Sequence, residues 1–277
     1  MESDRTKTAC VTGATSGIGA AFAKKFAEQG YNLIITGRRK EKIELLANRL
    51  SNNHNVNVDV VIAELSDDGD LEKLSNVIEE QKDLEVLVNN AGFNSESVFH
   101  KEDITTYTGM IKVHNLAIVK LCHSALPNML AKRSGVIINV SSMGALLPLP
   151  INAVYSASKS FIKLFSESIY LELKGSGVKI QSLCPGMTVS DFHERLGYDK
   201  KTYYKEKGLS KAMSTEMVVD ASLKCLAQDK AVCIPGRYRR ILSYLIRLMP
   251  QSLIYKMVTS AKSIKDKMSD TRLTAGF

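Results

Sequence analysis

The sequence has no CxxC pair and no histidine spacing that suits a metal, and its five cysteines (Cys10, Cys122, Cys184, Cys225, Cys233) are scattered. That pattern excludes a disulfide framework and a zinc site, and it leaves reduced thiols in a cytoplasmic setting as the expectation. The opening stretch MESDRTKTACVTG lacks the apolar segment of a signal peptide, so nothing there directs export. No apolar run is long enough to span a bilayer, and no repeat recurs at a solenoid period. With 44% hydrophobic and 24% charged residues in 277, the chain has an ordinary globular composition and enough length for one sizeable core.

Acidic residues are nearly missing from the last part of the chain. From Lys230 to Phe277 there are ten Lys or Arg against Asp266 and Asp270, a net of +8, which leaves 27 residues of each sign in the balanced body. Basic residues without a recognition motif or aromatic platform argue against nucleic acid as a partner. Residues 237–258 mix arginines with short apolar runs. They suit either a helix in peripheral contact with a membrane surface or one packed at a subunit contact or over an active-site mouth.

What is present is an alternation of short β-rich apolar runs with segments of helical period. Strands are expected at 8–12, 31–36, 56–62, 86–88, 136–140, 178–184 and 231–234, and helices at 18–29, 40–51, 68–81, 104–131 and 153–174. Few strands show polar alternation, so both sheet faces should be covered. The expected fold is α/β: a single-domain, Rossmann-type, doubly wound parallel sheet of seven strands spanning residues 1–236. A helical basic extension over 237–277 should follow. Residues 187–215 break the alternation and read as a substrate lid, in which His193 and Tyr198 are candidate substrate contacts.

Between the first strand and first helix stands Thr12-Gly13-Ala14-Thr15-Ser16-Gly17-Ile18-Gly19. Glycines there let the backbone turn tightly against a pyrophosphate, whose charge faces the unsatisfied N–H groups of the helix start. The second strand ends in Gly37-Arg38-Arg39, where a dinucleotide fold seats the adenosine ribose. No carboxylate stands there to repel a 2′-phosphate, and Arg38 offers a planar fork for one, with Arg39 secondary; NADP(H) is the expected cofactor. Tyr155 and Lys159 are four apart in a helical stretch and so share a face, where a cation could bring a phenol's pKa toward the working range.

The spacing of the glycine turn, together with Asn89-Asn90-Ala91-Gly92, Ser142, Tyr155-Ser156-Ala157-Ser158-Lys159 and Pro185-Gly186, resembles the short-chain dehydrogenase/reductase family from residue 7 to about 190. The resemblance implies a catalytic group of Asn115, Ser142, Tyr155 and Lys159. Ser142 would orient the substrate oxygen, and Asn115 would hold a water against the lysine. It further implies that Asn90, Ala91 and Gly92 line the adenosine half, with Glu64 and the Leu65 backbone beside the adenine. Glu64 stands where the family generally has Asp. Pro185, Gly186, Thr188 and Ser190 would hold the carboxamide. The implied activity is interconversion of a ketone or aldehyde with an alcohol, and likeness to a branch with ketoacyl and 17-ketosteroid reductases implies a lipophilic substrate. A homodimer or homotetramer formed through the helices bearing Asn115 and Tyr155 is implied as well. An NADP-sensing regulatory protein and a lipid-surface binding protein are the competing readings.

Overall fold

Strand β1 (Thr8–Thr12) is buried at all five positions, which explains why its TACVT sequence lacks polar alternation. Ala9 and Val11 pack into one core with Phe22, Phe26 and Ile43, and Cys10 between them enters a second core with Leu74, Leu121 and Ile162. The same division recurs in β2 (Asn32–Gly37), where Leu33 and Ile35 face the first core and Ile34 the second. Each fully buried aliphatic side chain of this kind contributes roughly 1.5–3 kcal/mol. The computed structural model describes residues 7–194 and 211–260; Tyr198 and the rest of 195–210 of the expected lid, the segment 261–277 and the side chain of His193 lie outside the described residues.

Five further strands complete the sheet: β3 (Val58–Ile62), β4 (Leu84–Asn89), β5 (Gly135–Val140), β6 (Val178–Leu183) and β7 (Val232–Cys233). All pair in parallel, in the order β3-β2-β1-β4-β5-β6-β7. The first core is covered by α1 (Gly17–Glu28), α2 (Lys40–His54) and α8 (Thr215–Ala227), the second by α3 (Asp68–Glu80), α5 (Ala117–Lys132) and α6 (Ala153–Glu172). The doubly wound architecture expected from the sequence is thus the fold. Its strand order reverses between β1 and β4, and a crevice for a ligand forms at such a point.

Local boundaries differ from the expectation in informative ways. Tyr31 sends its N–H to Phe26 O and so closes the preceding helix, and β2 begins one residue later. Helix α2 runs on to His54, where Asn55 caps it in the left-handed region at φ 53°, and β3 starts correspondingly late. The helix expected over 104–131 is interrupted: α4 (Ile104–Ile111) and α5 flank a π-helical turn at Lys112–Leu116. Helix α8 had no counterpart in the sequence reading, although its start is marked by Ser214, whose hydroxyl accepts from Met217 N–H at 3.2 Å.

Beyond β7, α9 (Arg237–Leu248) and α10 (Gln251–Ser260) are separated by Pro250. Ile246, Ile254 and Val258 form a small third core against Leu146 and Leu147, so the extension is seated on the segment that follows β5. A short helix, α7 (Asp191–Glu194), follows Thr188, whose backbone pairs with Met213.

Candidate active site

A cleft of about 580 Å³ opens beyond the C-terminal ends of β1, β4, β5 and β6. Of the residues singled out in the sequence, Gly13, Thr15, Ser16, Gly17, Ile18, Arg38, Arg39, Glu64, Leu65, Asn90, Ala91, Gly92, Ser142, Tyr155, Lys159, Pro185, Gly186, Thr188 and Ser190 all line it. Gly19 and Asn115 stand behind the wall.

The glycine turn is held by close backbone approach. Gly13 sits at φ 65°, and a Cβ there would meet Ala91 Cα at 2.8 Å. A Cβ on Gly19 would lie 2.5 Å from Gly13 O, so α1 can start against the turn only with glycine at that place. Thr12 Oγ1 accepts from the N–H groups of Asn90 and Ala91 at 2.9 and 3.0 Å, and Asn90 Nδ2 donates to Thr12 O and Gly13 O at 3.0 and 3.2 Å. Asn90 therefore clamps the two turns together as well as lining the cleft. One position back, Asn89 ties β4 to β5 through Asn139 at 2.8 Å. No side-chain bond caps the first turn of α1, which leaves a cradle of backbone and bare glycine at that helix start.

Two arginines flank this cradle in different states. Arg38 Nη1 lies 2.7 Å from Glu64 Oε2, while Arg39 Nη2 donates to the hydroxyls of Thr15 and Ser16 at 2.8 and 3.1 Å. Partial burial pushes the Glu64 carboxyl up, but hydrogen bonds from Arg38 and Ser66 outweigh it and hold the group below its ordinary range.

At the other end, β5 delivers Ser142 and α6 delivers Tyr155 and Lys159. Ser142 Oγ accepts from Gly144 N–H at 3.0 Å, whereas neighbouring Ser141 points away and donates to Lys159 O at 2.7 Å, as strand alternation requires. The Lys159 ammonium lies 5.7 Å from the centre of the Tyr155 ring and donates to Val140 O at 3.0 Å. Burial lowers its pKa to about 8. Burial also raises Tyr155, against the pull of Ser142. The acidification expected from the lysine is not seen: desolvation raises the phenol, and the opposing pull comes from Ser142.

Asn115 lies in the π-helical turn and donates to Ser158 O at 3.1 Å. Its neighbour His114 is the residue that sequence reasoning passed over. Fully buried, it accepts from Phe93 N–H at Nε2 (3.1 Å), which leaves Nδ1 to donate to Ser158 Oγ at 2.8 Å. Burial and the nearby lysine push its pKa well below 6.5, so the ring is neutral. Its edge packs on the Tyr155 ring at 5.9 Å between centroids. A mid-helix histidine carries no sequence signal for such a role.

Three other features come from the structure only. Phe93, Phe192, Leu149, Met143 and Met187 give the Tyr155 end an apolar wall. Asn94, on the same wall, donates to Asn152 Oδ1 at 2.7 Å, and its own Oδ1 is buried with no partner among the described residues. Arg239, from α9, packs against Gly186 and donates to Met187 O and Lys211 O at 3.2 and 2.7 Å, so the extension braces the backbone at those two residues. Among the described residues, no group of histidine, cysteine or carboxylate side chains could hold a metal.

A family model described as short chain dehydrogenase matches residues 7–201, the span that holds the first six strands and the residues lining the cleft. The chain belongs to the short chain dehydrogenase family. It is therefore an oxidoreductase with a nucleotide-binding fold. The very-long-chain 3-oxoacyl-CoA reductase of Anas platyrhynchos is 34% identical over 276 residues, which cover 95% of this chain and 84% of that protein. A short-chain dehydrogenase from Sphingobium yanoikuyae, solved in complex with NADPH, superposes with a TM-score of 0.77 at 27% identity, covering 89% of this chain and 97% of that one. A 7β-hydroxysteroid dehydrogenase structure gives a TM-score of 0.82 at 25% identity, with 92% and 97% covered.

Proposed function

We propose that this chain is an NADP(H)-dependent oxidoreductase that interconverts a lipophilic ketone or aldehyde with its alcohol. The observation that carries the reading is one continuous cleft with the glycine cradle and two arginines at one end and Ser142, Tyr155 and Lys159 at the other. The cradle fits a pyrophosphate, because its bare glycines and uncapped helix start leave only backbone to approach. Bound there, the nicotinamide cofactor supplies or accepts the hydride.

The protein's own residues do the rest. Tyr155, held as the neutral phenol by burial, is in the form that a reduction needs, and it gives its proton to the substrate oxygen. Ser142 donates to the same oxygen as charge develops on it. Lys159 keeps a cation beside the phenol as it loses its proton. Asn115 and His114 both bond to Ser158, in the turn between Tyr155 and Lys159, and act as positioning residues. The backbone from Pro185 to Ser190 would hold the carboxamide, with Arg239 behind it.

Gly37 leaves the end of β2 without a carboxylate. Arg39, bonded to neutral hydroxyls, has a full charge to offer a 2′-phosphate, whereas Arg38 is already neutralised by Glu64. The apolar catalytic wall supports a lipophilic substrate, in keeping with the printed names of the acyl-CoA and hydroxysteroid relatives. Exposed Leu116, Phe161 and Leu164 supply apolar surface on and beside α6 for a homodimer or homotetramer. An NADP sensor would not need the complete acid–base group, and on that ground the enzyme reading is preferred.

The test is nucleotide oxidation across ketosteroids, ketoacyl thioesters, aldehydes and sugars with NADPH and NADH in parallel. Turnover of a lipophilic carbonyl with NADPH is expected. Arg39→Ala should raise the KM for NADPH about tenfold, more than Arg38→Ala does, with kcat little changed. Equal use of NADH by the unmodified protein would overturn the cofactor assignment.

A further inference from the structure

The inner face of α9 is spoken for: Ser243 and Ile246 are buried, and Arg239 reaches back to the lid backbone. Its outer face is not. Ile241, Tyr244, Leu245 and Leu248 are 58%, 59%, 52% and 82% exposed, an unusual concentration of large apolar side chains on three helical turns. Arg237 stands among them at the start of the helix, and Arg240 and Arg247, seven residues apart, form one edge of the same face. Helix α10 adds exposed Leu253 and Met257 and, between them, Lys256. Neither helix contains an acidic residue. None of Arg237, Arg240, Arg247 and Lys256 is ion-paired among the described residues.

We propose that the outer face of α9, continued by α10, docks onto an anionic lipid surface, with its apolar side chains in the interface and its arginines among the headgroups. Three observations favour this occupant. The face combines apolar area with cations along one edge, the arrangement of a helix lying in the plane of a membrane interface. A second copy of the chain fits poorly, because a two-fold contact sets a patch against itself and would bring arginines to arginines with no carboxylate between them. Spanning is excluded for the described helices, none of which is long and apolar enough to cross a membrane. The opposite side of the same two helices packs on Leu146 and Leu147, next to the segment that lines the cleft, so docking would hold the enzyme beside a lipid phase.

Cosedimentation of the full chain tests this, with vesicles of phosphatidylcholine alone and of phosphatidylcholine mixed with phosphatidylserine. The chain should pellet with the mixed vesicles and far less with the neutral ones, and added salt should weaken binding. Two double variants separate the contributions: Ile241→Glu with Leu248→Glu, and Arg237→Gln with Arg247→Gln. Each should lower partitioning about tenfold or more while reductase activity in vesicle-free buffer is unchanged, since none of the four residues lines the cleft. Three results would each overturn the proposal: no binding to mixed vesicles, binding that both variants leave intact, or variants whose effect is on subunit number and not on vesicles. Equal retention on heparin that survives the glutamate pair would also overturn it, by pointing to an anionic polymer.

Discussion

Arg38 and Glu64 meet at the glycine-turn end of the cleft with 59% and 33% of their side chains exposed, whereas Lys159 and His114 at the catalytic end are 5% and 0% exposed. Near water, an ion pair is screened and worth little, and hydrogen bonds from Arg38 and Ser66 hold the Glu64 carboxyl below its ordinary range. In the interior, the same kinds of side chain are shifted by desolvation: the lysine falls to about 8 and the histidine goes well below 6.5. The two ends of the cleft thus differ in depth, one near the surface and the other in the interior.

The sharpest way to break that comparison is Tyr155→Phe, which removes one hydroxyl and nothing else. It should cut kcat by about 10³-fold or more with nucleotide binding unchanged, read by NADPH oxidation and by titration of NADPH fluorescence. Retention of activity within about tenfold would falsify the acid–base assignment.

Lys159→Met tests what burial does to the cation. Turnover should fall by about 10²-fold or more, while the protein becomes more stable in denaturant titrations by up to about 3 kcal/mol, the equivalent of a shift from 10.5 to about 8. The sign follows from proton binding. Below about 8 both folded and unfolded states hold the proton, and the full cost of the buried charge is present. Between about 8 and 10.5 only the unfolded lysine holds it, so stability should rise with pH while activity, which needs the cation, declines. A wild-type stability curve flat over that window would show that Lys159 is better solvated than its surroundings imply.

His114→Leu strands the Phe93 N–H and should cost about 2 kcal/mol, with a loss in kcat greater than the change in KM. His114→Gln can still accept that N–H and should recover much of both. Because the folded histidine resists protonation, the wild type should lose stability as pH falls below 6.5, and the glutamine variant should lack that part of the slope. Equal acid sensitivity in the two proteins would rule out this source.

The smallest effect belongs to the exposed pair. Arg38→Ala should change stability by less than about 1 kcal/mol, and added salt should shrink even that. A larger loss would mean that the two ends of the cleft are coupled.

Much of this site was legible because its residues follow strand ends. Gly13 to Gly19, Arg38, Asn90, Ser142 and Pro185 each sit just past an apolar run, and a parallel sheet brings such positions to one edge. Tyr155 and Lys159 were legible for a different reason, their spacing of one helical turn. His114 was not, since its importance depends on a π-helical turn that no local pattern announces, and on Phe93 and Ser158 being beside it. Arg239 was hidden in the same way, as one of several arginines in a basic segment until α9 folded back on Gly186.

The sequence by itself determined the strand and helix alternation, the glycine turn and the one-turn spacing of Tyr155 and Lys159, because these rest on period and on covalent neighbours. Only the tertiary structure decided which groups lose their water. Desolvation depends on what other parts of the chain bring to a side chain, and it turned Lys159 into a weakened cation, His114 into a neutral bridge, and the outer face of α9 into uncovered apolar surface.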